Sequence, residues 1–262
     1  MPSGLRRGRN VLLTLLGVLA LLAFYEILSL ATGRTFLPDL FLSFAELGRL
    51  FLTASLWKAL GYSLLRLLIS YSAALFLGVL LGLLAGYYDP LAKFLSPLVT
   101  VLRALPSIAV LLLLVVYVPH FSLYVVFLLL FPVLYQAALE GSSEVYHRFE
   151  DELRLKGKEH LSNLWLVLFP LSQDYILLGM IQALGLGLKG EVMSETFAYR
   201  SDFEGIGKMI YLAYQDVDYG KMMALVLFVV LFSLLLDGLL LLLRDRVEKR
   251  IGISKEKQGK AG

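Results

Sequence analysis

Long apolar runs separated by short polar stretches dominate this chain, and the runs set its architecture. Six of them read as membrane-crossing helices, at about residues 11–30, 60–87, 94–118, 121–139, 171–195 and 222–243. A helix needs about 20 apolar residues to cross a bilayer, because hydrocarbon offers a bare backbone no hydrogen-bond partner. A soluble fold would have to bury all these runs in one small core. The pattern therefore predicts an all-α integral membrane protein of six transmembrane helices over residues 11–243, between a short tail, 1–10, and a longer one, 244–262.

The polar stretches add orientation. Arg6, Arg7, Arg9, Lys93, Arg148, Arg154, Lys156, Lys158 and the basic residues from Arg244 to Lys260 fall on one side of the predicted bundle. The other side carries fewer: Arg34, Arg49, Lys58, Lys189, Arg200, Lys208 and Lys221. The richer side is expected to be cytoplasmic, so both termini and the loop 140–163 are placed in the cytoplasm of a multi-pass inner-membrane protein. The segments 32–57 and 197–219 then lie outside. Their aromatic residues suit amphipathic helices lying on the membrane surface, or a docking face for an outer partner.

Composition agrees, with 58% hydrophobic and only 17% charged residues. The net charge of +3 is spread over tails and loops, which points to membrane orientation and not to nucleic acid. The first apolar run is longer than a signal-peptide core and no small-residue cleavage site follows it, so it is expected to be a retained span. The absence of cysteine excludes disulfides and thiolate ligands. There is no Gly-x-x-x-x-Gly-Lys-Ser/Thr loop and no His-Glu-x-x-His pattern. No catalytic residue, metal site or cofactor is predicted in this chain, and it is not read as an enzyme.

Between the fourth and fifth runs, Val145, Phe149 and Leu153 recur at helical spacing with charged residues opposite. Gly157 is placed to end such a helix, and Pro170 suits the first turn of the next. The apolar stripe can rest on the chain's own spans or fill a groove on a soluble partner.

Asp151-Glu152-Leu153-Arg154-Leu155-Lys156-Gly157, with Pro170 thirteen residues after the glycine, resembles the "EAA" coupling loop of ATP-binding-cassette importer permeases. Asp151 stands for the family's Glu, Glu152 and Leu153 for its two alanines, and Phe169 for the Leu of Leu-Pro. Phe36-Leu37-Pro38, Ser63-Leu64-Leu65-Arg66, Leu102-Arg103-Ala104-Leu105-Pro106-Ser107, Ala183-Leu184-Gly185, Ser194-Glu195 and Gly205-Ile206-Gly207 follow in the order seen in the nitrate/sulfonate/taurine/thiamine-precursor group. The resemblance implies a type I importer permease that pairs with a second permease, usually an identical copy. Two ATPase subunits holding ATP and Mg would bind below, and an extracytoplasmic solute-binding protein above. Phe149, Asp151, Glu152, Leu153, Gly157 and Pro170 would form the ATPase-coupling loop within 140–170. The implied cargo is a small anionic or heterocyclic solute.

Charges inside the spans mark candidates for the path. Lys189, Glu191 and Glu195 either sit wet at a helix end or line the path, with Lys189 neutralising a carboxylate or attracting an anion. Arg66 is expected to snorkel to the outer interface as an anchor. Arg103, Pro106 and Ser107 form either a pore element or a plain kink. Gly78, Gly82 and Gly86, and Gly179, Ala183 and Gly187, repeat every four residues and predict close helix packing. An ion-gradient-driven secondary transporter is the alternative reading, but it calls for internal repeats that the chain does not show. A membrane-embedded enzyme would need clustered polar groups facing one cavity.

Overall fold

Every regular element among the described residues of the computed structural model is helical. The structure describes residues 3–34, 37–149, 164–198 and 204–259, with the side chains of 3–11, 14, 15, 18 and 243–259 left aside. In chain order the helices are α1 (Ser3–Ala31), α2 (Leu40–Phe51), α3 (Ala54–Tyr87), α4 (Asp89–Ala104), α5 (Ser107–Tyr117) and α6 (Phe121–Arg148). A π-helical stretch, Leu164–Leu168, and a single turn, Phe169–Leu171, lead into α7 (Gln173–Thr196), followed by α8 (Ile206–Gln215) and α9 (Tyr219–Gly259). Among the described residues α3, α6, α7 and the Tyr219–Leu242 part of α9 are long and apolar enough to cross a membrane, and α4 with α5 makes a fifth span bent by 89°. Helix α1 covers the first predicted run, and its described apolar stretch is Leu19–Ala31.

Three boundaries differ from the sequence reading. The run 94–118 breaks in two, because a proline ring drives the residue before it out of the helical region. Leu105 accordingly adopts φ −66°, ψ 128°, and Pro106 φ −62°, ψ 115°. Pro97, eight residues into α4, leaves that helix continuous. Residues 144–148, read as the start of a separate amphipathic helix, instead continue α6, since nothing in 140–148 forces an end. Phe149 closes the helix, its N–H donating to Val145 O at 3.1 Å. Finally, α9 remains helical through the basic stretch read as a tail, as far as Gly259.

The chain folds as two units, residues 1–57 with 209–230 and residues 58–208 with 231–262. In the first, the hydroxyls of Tyr25 and Ser29 on α1 donate to Pro38 O at 2.8 Å and Leu37 O at 2.7 Å, which pins the connection to α2. Asp39 caps α2 by accepting from Leu42 N–H at 2.6 Å, satisfying a donor that the first turn leaves unpaired. Trp57 Nε1 donates to Phe51 O at 2.9 Å, and the Phe51 ring meets Trp57 and Phe228.

Helix α6 is the axis of the second unit. Half of its apolar window is buried, against 11% for that of α9. Both rows of small residues face it. Gly78, Gly82 and Gly86 of α3 lie on Leu134, Tyr135, Ala138 and Ser142, and Gly179 of α7 lies on Ala137. The two rows thus approach α6 and not each other, except at Gly187, which meets both Leu130 of α6 and Leu67 of α3. Ala183 sits fully buried in the same core, with Leu67, Tyr71, Leu130, Leu134 and Tyr135.

A β-carbon on Gly82 would collide with Tyr135 O and the Ala138 side chain, whereas one on Gly61 in the same helix meets nothing within 4 Å. Gly82→Leu is expected to destabilise the purified chain by about 1–3 kcal/mol or more through overpacking. Gly61→Ala should be neutral or slightly stabilising, because it adds helix propensity at no steric cost. Thermal unfolding of both variants in detergent checks the contrast.

Candidate functional site

Three places in the second unit carry the residues singled out from the sequence. The first is the base of the hairpin between α6 and α7. Val145 near the end of α6 and Leu164 and Leu168 on the returning strand of chain are buried in one cluster with Leu83, Ala138 and Ile176. Phe149 and Phe169 pack onto it from the two stems. The Val145 and Phe149 end of the apolar stripe therefore rests on the chain's own helices. Pro170 is exposed in the turn Phe169–Leu171, where its missing N–H costs nothing. Asp151, Glu152, Leu153 and Gly157 lie outside the described residues. Beside the hairpin base, Gly86, Tyr87, Tyr88, Asp89, Ser143, Tyr146 and His147 line a cavity of about 430 Å³.

The second place is the break between α4 and α5. Arg103 occupies the last turn of α4 and is exposed, Pro106 is the N-cap of α5, and Ser107 is the first residue of α5. An 89° turn is far more than the kink that one proline imposes inside a continuous helix. The last carbonyls of α4 are left without intrahelical donors at this corner.

At the far end of the unit from the hairpin, α3, α7 and the segment 204–207 meet in an ionic cluster. Ser63 and Arg66 share one face of α3, and Glu191 and Glu195 share one face of α7, by three- and four-residue spacing. Arg66 Nε donates to Glu191 Oε1 at 2.9 Å, and Arg66 Nη2 pairs with Glu195 Oε1. The same Nη2 donates to the backbone carbonyl of Glu204 at 2.6 Å. Ser63 Oγ donates to Glu195 Oε2 at 2.9 Å and accepts the N–H of Ile206 at 3.0 Å. Gly207 N–H donates to Glu195 Oε2 at 2.9 Å. Both glutamates are fully buried, and the Arg66 side chain is 14% exposed. Glu191 Oε2 has no hydrogen-bond partner among the described residues.

The glycines of the Gly205-Ile206-Gly207 landmark belong to this clamp. A β-carbon on Gly205 would strike the Glu195 carboxylate and Arg66 Nη2, and one on Gly207 would strike Val192 O and the Glu195 side chain. The segment can reach α7 only without side chains there. Lys208 next to it is buried and donates to Ala198 O at 2.7 Å, and desolvation lowers its pKa.

These contacts correct two expectations. Arg66 turns inward and holds both carboxylates, where an outward-snorkelling anchor was expected; Lys189, the neighbour in sequence, is exposed and does not take that role. Glu191 and Glu195 are fully buried against this cation and do not sit wet at a helix end. The missed signal was charge at matching depth, an arginine two turns into one run and two glutamates near the end of another. This buried ion cluster joins three chain segments, α3, α7 and 204–207.

Removing one partner of a buried ion pair leaves the other charge uncompensated, at about 3–5 kcal/mol. Arg66→Ala should therefore be severely destabilising. Replacing all three charges together, as Arg66→Met with Glu191→Gln and Glu195→Gln, should recover most of that loss, because no charge is then buried. Thermal unfolding in detergent decides between the two.

Residues 74–252 match the family described as binding-protein-dependent transport system inner membrane component. The match takes in the hairpin, the break and the two glutamates, while Ser63 and Arg66 precede it. The chain is 29% identical over 256 residues to the bicarbonate transport system permease protein CmpB of Synechococcus elongatus, covering 90% of each chain. It is 26% identical over 190 residues to the taurine transport system permease protein TauC of Escherichia coli, covering 71% of this chain and 68% of that one. These matches favour a permease over an ion-gradient-driven transporter. The chain belongs to the binding-protein-dependent transport system inner membrane component family, the permease subunits of ATP-binding-cassette importers.

Proposed function

We propose that two copies of this chain form the translocation path of an importer, and that the hairpin 140–170 is the lever by which ATPase subunits move it. The observation that carries the proposal is the rooting of both hairpin stems in one buried cluster. A force applied at the tip reaches α3, α6 and α7 together, because Leu83, Val145 and Ile176 share that cluster. Phe149, Asp151, Glu152, Leu153, Gly157 and Pro170 contact the ATPase in this reading. ATP and Mg are bound by that partner, and this chain holds no cofactor.

The excess of Lys and Arg on the hairpin side supports a multi-pass inner-membrane protein with the hairpin and both termini on the cytoplasmic side. A solute-binding protein docks on the opposite side. Arg103, Pro106, Ser107 and Lys189 line the path, at the broken span and on the exposed side of α7. Helices that are broken within a membrane keep their free backbone groups satisfied only in protein or in a wet cavity, which supports a path at the break. The cargo is a small anionic or heterocyclic solute. Bicarbonate and taurine, after which the relatives are named, are small solutes bearing an anionic group.

Gly157→Pro in the complete transporter tests the lever. The variant is expected to insert normally and to keep ATP hydrolysis while ATP-driven uptake into liposomes falls by about tenfold or more, a coupling loss of about 1.4 kcal/mol or more. Uptake at the native rate would count against the hairpin as the coupling element. Failure of the unmodified chain to purify with an ATPase subunit would overturn the importer assembly itself.

A further inference from the structure

One carboxylate lies inside an apolar span and takes no part in the clamp. Asp237 belongs to the Tyr219–Leu242 part of α9, and its side chain is exposed. Its Oδ1 stands 3.3 Å from the point where a β-carbon on Gly185 would lie. Gly185 occupies the middle of α7, between Gln173 and Thr196, so at a rise of 1.5 Å per residue it is about 16–18 Å from either end. Along α9, Asp237 stands five residues, about 8 Å, before Leu242, so it lies within the apolar part of the helix and beside the middle of α7. Carboxylates at that depth face water or protein, not lipid tails.

The same side of α7 supplies the rest of a polar line. Gln182 and Lys189 are three residues before and four after Gly185, on one helical face, and both are exposed. Ile176, Gly179, Ala183 and Gly187 occupy the opposite side and are buried. An amide, a carboxylate and an ammonium thus follow one another over about 10 Å of the helix axis. The ammonium is the member nearest the clamp end, and the carboxylate lies about one turn deeper.

We propose that Gln182, Asp237 and Lys189 form a solute-contact line at the middle of the translocation path. It takes a small solute that presents an amine or other N–H donor to Asp237 and an anionic group to Lys189. This inference rests on the importer reading given above, since only a translocation path brings water to that depth. Gly185 has a role in it: the missing side chain leaves room for the Asp237 carboxylate beside α7.

The chain has no native cysteine, so one introduced thiol is the only one it carries. Gln182→Cys, Asp237→Cys and Leu235→Cys are placed separately in the complete transporter in liposomes. Leu235 is exposed on the other side of α9 from Asp237 and serves as the lipid-facing control. Each is treated with a cationic trimethylammonium-ethyl methanethiosulfonate and an anionic sulfonato-ethyl methanethiosulfonate, and modification of this chain is followed by mass.

Positions 182 and 237 should react about tenfold or more faster than 235, because a thiol in lipid stays protonated and unreactive. With Asp237 in place, the cationic reagent should outrun the anionic one at position 182 by about tenfold. Asp237→Asn in the Gln182→Cys background should abolish that preference and Asp237→Glu should keep it. Rates at 182 and 237 no faster than at 235, or a charge preference indifferent to Asp237→Asn, would overturn the proposal. Failure of the importer reading shows separately, as absent ATP-driven uptake by the unsubstituted chain.

Discussion

The approach of α3 and α7 to α6 at backbone distance is the constraint on which the second unit depends. It is possible only because Gly78, Gly82, Gly86 and Gly179 present no side chain to α6. Between apolar helices in a bilayer there is no hydrophobic driving force to gain, so close van der Waals contact has to supply the attraction. With both helices seated on one axis, their ends are fixed at both faces of the unit. At one face, Arg66 arrives level with Glu191 and Glu195. At the other, Leu83, Val145 and Ile176 arrive together under the hairpin stems.

The ionic clamp then follows from that geometry and in turn explains the segment 204–207. Two carboxylates share one guanidinium, so the surplus negative charge needs further donors. Ser63 Oγ and the backbone N–H of Gly207 provide them to Glu195. Such a cluster gives little net stability over an apolar replacement, yet it tolerates no partial removal. In the observed register, the Glu204 carbonyl and the N–H groups of Ile206 and Gly207 all find partners in the cluster. The segment is tethered to both α3 and α7.

Much of this was legible in the sequence. Hydrophobic runs gave the helices, since length in hydrocarbon is a requirement each span meets alone. The four-residue spacing of Gly78, Gly82 and Gly86 announced a close contact, although not that its target would be α6. Pairing of charges was not legible, because it depends on which helices become neighbours: Lys189 is near Glu191 along the chain, whereas Arg66 is near it in space. Val145 was ambiguous for a similar reason. Helical periodicity shows that a stripe is apolar but not what covers it, and here the chain's own core covers the first part of it. Proline at position 106 was visible as an interruption, but the size of the turn was not.

That turn has an effect on the surroundings of the protein. The last carbonyls of α4 end at Ala104 among side chains as oily as Leu102, Leu105 and Ile108, with no next helical turn to meet them. Lipid tails cannot solvate such oxygens. Within hydrocarbon, a corner of this kind is stable only when it is roofed by other polypeptide or kept hydrated.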